Sequence, residues 1–406
     1  MSDLRVAMYS ASHRTKLKLF EHLKDRRVRL QHFAVEKLSP GDCKLLGLSL
    51  DQIPDAKANE IVEMLQQKGW KIPEPLEIGT EKAWRSTEYP CYWGSVYHHI
   101  DCGATADMLL ALGFKDFDSM DTYGRTPLSQ ANSPGYALWL IDHGATVTSP
   151  LGNVGSKLNQ IAIHGVACRL GRYLFYHGKK DQTWRKLAGG SRKRLLDLTC
   201  SMDVPDNCRC ACSSQGCTPF TALLKPGLRA GYYDSRTKMV ELQEIVKYLP
   251  VDVFGLPEIP LATLRLLTFE ALGIRHTCCQ GPRKLRADLL RSNDCYDEEE
   301  LQELREEDSF LVKSLEELME EFEMKYNASG ENLPLFVERY WKHRMEEVIA
   351  EMDEYELSDE EKRKLEELGV DLLEEIEEES EEEEDEMEEW DLNYYIRRMD
   401  QIVGLY

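Results

Sequence analysis

The sequence has no apolar run approaching the ~20 residues that a membrane span requires. Its first twenty residues, MSDLRVAMYSASHRTKLKLF, hold no continuous apolar stretch and no small-residue cleavage site, so no secretory signal is expected. These absences point to a cytoplasmic or nuclear protein whose thiols stay reduced. Reaction fingerprints are missing too. There is no P-loop, no dinucleotide fingerprint, no Gly-x-Ser-x-Gly elbow, no His-Glu-x-x-His and no kinase set. Together with an internal repeat, their absence means that no catalytic activity is expected. Positive charge is also in deficit: 50 Lys+Arg stand against 73 Asp+Glu, a net charge of −23.

That deficit is local. Residues 1–291 hold 39 basic and 30 acidic side chains, and residues 346–391 hold 3 and 26. A mildly basic body therefore carries a strongly acidic tail. The tail repels phosphate and competes for the basic surface, which argues against nucleic-acid binding. It suits a protein partner of basic character, by long-range attraction or by shielding the protein's own basic face until displaced. An acidic chaperone for a basic client such as a histone is a related possibility. The basic runs KDRRVRL, GGSRKRLLDL and GPRKLRADLLR read as solvated faces before they read as import signals or phosphate patches.

What the sequence does have is an internal repeat. Tyr97 and Leu128, Leu109 and Leu140, and Gly113 and Gly144 are each 31 residues apart. The unit is a helix, a tight turn and a second helix closed by a glycine that permits positive φ. The stretch DTYGRTPL, Asp121 to Leu128, is its sharpest piece: Gly124 serves the turn, Thr126 caps a helix and Pro127 takes the first helical position. Weaker units run from Leu158 to Gly178, open again at Gly216-x-Thr218-Pro219-Phe220, and lie within IPLATLRLLTFEALGIRHTCC. Trp139 and Trp184 read as anchors.

These residues resemble the ankyrin repeat, with its Asp-x-x-Gly-x-Thr-Pro-Leu-His turn and its Leu-Leu-x-x-Gly-Ala helix end. Ser129 stands where that pattern has histidine, and the units fall short of its usual length. For the first unit the resemblance implies that His98 or His99 bonds neighbouring turn backbone rather than acting as a base or ligand. SVYHHI, LGFKDFDSMDTYGRTPL, CRCACSSQGCTPF and LGIRHTCC are further similar to a group of fungal ankyrin-repeat proteins over roughly residues 25–350. The resemblance implies a fold, all-α with a short degenerate repeat solenoid, and it implies no biochemical activity. It places function on a protein-binding surface. The candidate contacts are Phe114, Phe117, Asp121, Tyr123 and Arg125, around the turn tips. The expected organisation is an N-terminal helical region 1–90, the repeats 91–291 with the Cys-rich insert, amphipathic acidic helices 292–373 and an acidic low-complexity tail 374–406, read as disordered or as a fraying solvated helix.

One feature sits outside the repeat pattern. DNCRCACSSQGCTPF places Cys208, Cys210, Cys212 and Cys217 in ten positions, just ahead of a repeat start. Cys208, Cys210 and Cys212 alternate, so extended backbone turns them to one side. Farther on, RHTCCQG offers His276, Cys278 and Cys279. If the fold joins the two segments, thiolates plus imidazole suit a structural zinc site. Ordinary buried thiols and a redox centre remain the competing readings. A zinc- or thiol-dependent protein, whether redox sensor or enzyme, is thus the alternative to an interaction scaffold.

Overall fold

The computed structural model describes residues 13–49, 52–73, 94–121, 124–152, 160–177, 187–228, 258–277 and 298–353, with Leu76 and a few positions between 242 and 253. One compact unit covers Met1–Ile349 and a second covers Ala350–Tyr406. The described residues are mostly helical, and their only β pairing is an isolated bridge, Pro150 to Ile161. Tyr123, Trp184, Cys278, Cys279 and the tail 374–406 lie outside the described residues.

The first helix, α1 (His13–Lys37), is 25 residues long. The sequence reads as short helices over 14–72. No glycine or proline interrupts 13–37, and straight-chain residues dominate it, so one helix persists. Ser39 then accepts a hydrogen bond from the Asp42 amide and opens α2 (Pro40–Leu45). After α3 (Ala58–Gln67) the chain reverses. Leu30, Ala34, Leu38, Leu46, Ile61 and Leu65 form a shared core. Asp55 ties this region to the segment that starts at Val96. It is buried, and it accepts from Arg27 Nε at 3.1 Å and from the Val96 amide at 2.6 Å.

From Val96 the elements stack in series. A 3₁₀ turn (Val96–His99) leads to α4 (Gly103–Leu112), and a second (Leu128–Gln130) leads to α5 (Pro134–Asp142). Then come α6 (Ala162–Arg172), α7 (Gly189–Thr199), α8 (Pro219–Leu228) and α9 (Ile259–Ala271). Each packs on its neighbours: α4 on α5, α6 on the 128–130 turn, α8 on α6 and on α9. Gly171 makes the α6–α8 contact possible, because a Cβ there would lie 2.0 Å from the Leu223 carbonyl oxygen.

Two of the turns share a hydrogen-bond plan. At the first, the Asp121 amide donates to the Arg125 carbonyl at 2.9 Å, and Asp121 Oδ1 accepts from the Arg125 amide at 2.9 Å. At the second, the Asp206 amide donates to the Cys217 carbonyl at 2.8 Å, and Asp206 Oδ1 accepts from the Cys217 amide at 2.8 Å. Gly124 (φ +68°) and Gly216 (φ +101°) occupy the same place, where a side chain would strike backbone oxygen. Thr126 then accepts from the Ser129 amide, as Thr218 does from the Thr221 amide. A histidine of the preceding unit closes each turn. His98 Nε2 donates to the Arg125 carbonyl at 2.8 Å, and His164 Nε2 to the Cys217 carbonyl at 3.1 Å. Two residues separate Asp121 from Gly124, but nine separate Asp206 from Gly216. The cysteine loop is therefore a seven-residue insertion into one copy of a repeated turn.

Beyond 298 the amphipathic run DEEELQELREEDSFLVKSLEELMEEFEMKY, which reads as one helix, forms two, α10 (Glu298–Glu307) and α11 (Ser309–Ser329), broken at Asp308. Asp308 takes both the Arg275 amide (2.8 Å) and its guanidinium (2.6 Å). The short α12 (Leu333–Phe336) passes through a π-turn into α13 (Lys342–Asp353). Leu315, Leu318, Phe322 and Trp341 are buried, and Trp341 Nε1 donates to Thr268 Oγ1 on α9 at 2.9 Å.

Burial holds His98 below the ordinary histidine pKa, and its Nε2–H to a carbonyl fits the neutral ring. The unfolded chain therefore binds the extra proton first, and stability must fall as pH drops below about 6.5, by at most about 1.4 kcal/mol per pH unit for one such group. Melting curves from pH 7.5 to 5 should show that fall, and His98→Gln should flatten it. An identical slope in the variant would remove His98 from the account.

Candidate metal centre

The loop between α7 and α8 buries its alternate residues. Cys208, Cys210 and Cys212 are buried, while Arg209 between them is exposed. The expected one-sided alternation is present. Asp206 anchors the loop by accepting from the Cys208 amide (3.1 Å) and the Cys217 amide (2.8 Å) with the same oxygen. Across the loop, Arg265 of α9 donates to the Ala211 carbonyl at 2.9 Å. The insertion is thus pinned from both sides.

Five of the seven candidate ligands converge. Cys210, Cys212 and His276 form one group of donors, and Cys208 and Cys217 form another with Asp206, the donor atoms of each group lying within 4.8 Å of one another. Cys212 Sγ lies 3.7 Å from Cys217 Sγ and so links the two groups. Cys210 Sγ is 3.8 Å from His276 Nδ1. Zn–S bonds of about 2.3 Å in a tetrahedron put sulfurs about 3.8 Å apart, and a sulfur–imidazole edge is slightly shorter. The Cys212–Cys217 spacing is close to such an edge, and the Cys210–His276 spacing is slightly longer than one. Cys278 and Cys279 lie outside the described residues.

His276 is prepared as a ligand. Its Nε2 faces Glu270 Oε1 at 2.6 Å, which leaves Nδ1, 3.8 Å from Cys210 Sγ, as the ring nitrogen a metal would take. Phe269 packs on the ring with centroids 4.6 Å apart. Both side chains of the His276–Glu270 pair are largely buried. This carboxylate–imidazole arrangement is a recurrent support for metal ligands.

The charge balance also favours thiolate. Lys225 is buried, at 5% exposure, and its Nζ donates to Cys217 Sγ at 2.7 Å. Burying an ammonium costs several kcal/mol unless a negative group faces it, and Cys217 Sγ is among the groups that the Lys225 ammonium faces. A metal with three thiolates and one imidazole would carry one net negative charge, which Lys225 offsets. Cys200, by contrast, stands apart from both groups, and burial pushes its thiol up to about 12. It is a packing residue. The thiols of the two groups are at most 9% exposed, so the arrangement is closed. A small cleft lined by Ala131, Pro134, Val166 and Leu195 contains none of them. Closed donor sets with no open position are what structural sites use.

Some expected partner contacts face inward. Phe114 is 1% exposed, and its carbonyl accepts from Tyr97 Oη at 2.9 Å. It is a core residue, because its ring follows the left-handed Gly113 back under α4. Asp121 is buried as the turn organiser and pairs with Arg125 at 2.7 Å. Phe117 is half-buried between Tyr97 and Trp139, with centroids 4.8 and 5.9 Å away. Met120, 43% exposed beside the turn, is a surface apolar residue that periodicity passes over. Lys225 and Glu270 are the cluster's unforeseen members, since neither spacing nor motif links them to the thiols. A cation eight residues after Cys217 and a carboxylate six before His276, each on a helix, were the only signals.

Comparison of the chain with protein-family models, with curated proteins and with solved structures gave no match.

Removing the Glu270 carboxylate should loosen the ring and weaken metal binding about 10- to 100-fold. Competition with a zinc indicator, Glu270→Ala against the parent chain, reads this directly. Equal affinities would mean that His276 is not a ligand.

Proposed function

We propose that the chain is a protein-interaction scaffold built from degenerate ankyrin-type repeats, with its one enlarged turn stapled by a structural zinc ion. The observation that carries the scaffold reading is the duplicated turn. The Asp121–Arg125 and Asp206–Cys217 pairs, the left-handed glycines, the Thr-Pro helix starts and the closing histidines His98 and His164 repeat one plan. That plan follows the ankyrin pattern named from the sequence. Repeats of this kind present turn tips and helix faces as an extended binding surface. The donor chemistry supports zinc: Cys210, Cys212 and His276 form one group of soft thiols and an oriented imidazole, and Cys217, 3.7 Å from Cys212, is the fourth donor we assign to it. Zinc there would supply cross-linking between the 206–217 loop and the segment after α9. No reaction step is assigned to it.

The metal part is tested by metal content and stability. Protein purified without added metal should hold about one zinc per chain, and a chelator should lower its melting temperature by several degrees. A metal-free chain with an unchanged melting temperature under chelator would refute it.

The scaffold part is tested on the turn face. Cross-linking in extracts of the source cells should place a protein partner against residues 115–125. Met120→Lys, at an exposed position, should reduce that capture at least tenfold with the melting temperature unchanged. Cross-links that all fall elsewhere would overturn the choice of surface.

A further inference from the structure

Four thiols crowd this site, and a tetrahedral centre with His276 has room for three. Cys208 is the odd sulfur. It lies 3.3 Å from Cys217 Sγ, closer than the tetrahedral edge of about 3.8 Å. It also accepts from the Cys217 amide at 3.2 Å. It shares a group with Asp206 and Cys217, apart from Cys210 and His276, and Cys217 is the member of that group that lies 3.7 Å from Cys212 Sγ. At 9% exposure it is the most open of the four, against 1–2% for the others. A second metal in the Asp206–Cys208–Cys217 group is disfavoured, because the Lys225 ammonium already contacts Cys217 there and two cations would share one thiolate.

Resting on the zinc reading, we propose that Cys208 is not a ligand but the resolving thiol of a peroxide-sensitive release device, which joins Cys208 to Cys217 and discharges the metal. The oxidant is hydrogen peroxide. Cys217 sulfur, as thiolate, attacks the near oxygen of the peroxide. The O–O bond breaks, and the far oxygen leaves as hydroxide and takes a proton from solvent. Cys217 is then a sulfenic acid, a poor zinc ligand. Cys208 sulfur attacks Cys217 sulfur, its proton goes to the departing hydroxyl, and water leaves. Two sulfurs lose one electron each to form the disulfide, and the peroxide ends as two waters. With Cys217 taken up in the disulfide, Cys210, Cys212 and His276 would be left as the donors, and three donors would hold a zinc ion too weakly to keep it. The disulfide also locks the two ends of the inserted loop, nine residues apart, so the turn at Gly216 is retained while the link to His276 is lost.

The test exposes zinc-loaded full-length protein to hydrogen peroxide, follows zinc with a chromophoric chelator, and maps linkages by mass spectrometry. Trypsin cuts after Arg209 and so separates Cys208, on peptide 195–209, from Cys217, on peptide 210–229. The parent chain should release zinc as a Cys208–Cys217 linkage appears. Cys208→Ala should bind zinc with unchanged stoichiometry and release it at least tenfold more slowly. Release at the parent rate in the variant overturns the proposal, as does a parent-chain linkage that excludes Cys208. If Cys208→Ala fails to fold, the parent-chain linkage decides alone. A chain that purifies without zinc defeats the metal reading instead, and the pairing is then judged by the linkage formed in the metal-free protein.

Discussion

The structure turns on Cys217. Its amide donates to Asp206, and its carbonyl accepts from the Asp206 amide and from His164 Nε2. Its sulfur touches Lys225, Cys208 and Cys212. One residue therefore closes the repeated turn with its backbone and holds the thiol cluster with its side chain. At the matching position the first turn has Arg125, whose guanidinium pairs with Asp121 instead. The first turn carries its own ion pair, and the second carries the inserted loop and the thiol cluster. The backbone bonds are unchanged, at 2.8–2.9 Å in both copies. Backbone geometry is thus the constant element between the two turns, and side-chain chemistry at the turn is free to differ.

That division explains what could be read from the sequence. Turn signals are local, so Gly124, Thr126, Pro127 and the 31-residue period could be recognised from neighbours in the chain. The alternation of Cys208, Cys210 and Cys212 is local in the same way, and their shared burial follows from it. The inward placement of Phe114 is not, because it depends on how α4 seats against the chain leaving Gly113. Lys225 and Glu270 were equally hidden. A buried lysine is recognised only by what faces it, and Cys217 reaches Lys225 only because α8 starts at Pro219 and carries position 225 back beside the loop. Asp308 breaks one long amphipathic pattern in two for a non-local reason. Arg275, 33 residues away, occupies both its oxygens.

The loop and the C-terminal helices are linked through α9. Arg265 donates to the Ala211 carbonyl within the loop and pairs with Glu316 of α11. Arg275, next to the candidate ligand His276, pairs with Asp308 and Glu307. A change in the loop that releases His276 therefore acts on the residue adjacent to the clamp on α10 and α11. Coupling of this sort needs no long pathway; two neighbouring residues share one short segment after Gly273.

Charge alone does not hold those acidic helices in place. Exposed ion pairs such as Arg265–Glu316 contribute about 0–1 kcal/mol each. Burying a leucine or phenylalanine side chain contributes about 1.5–3 kcal/mol, and Leu315, Leu318, Phe322, Phe336 and Trp341 are each almost fully buried. Apolar burial therefore dominates the docking of α11 to α13, and the ion pairs select its register. The Trp341 indole makes the point in one residue. Its ring supplies area, and its single N–H finds Thr268 Oγ1 on α9, so the helix can seat in one orientation without leaving a buried donor unpaired. An acidic sequence can in this way pack against the body through a narrow apolar stripe, with its remaining carboxylates left to solvent.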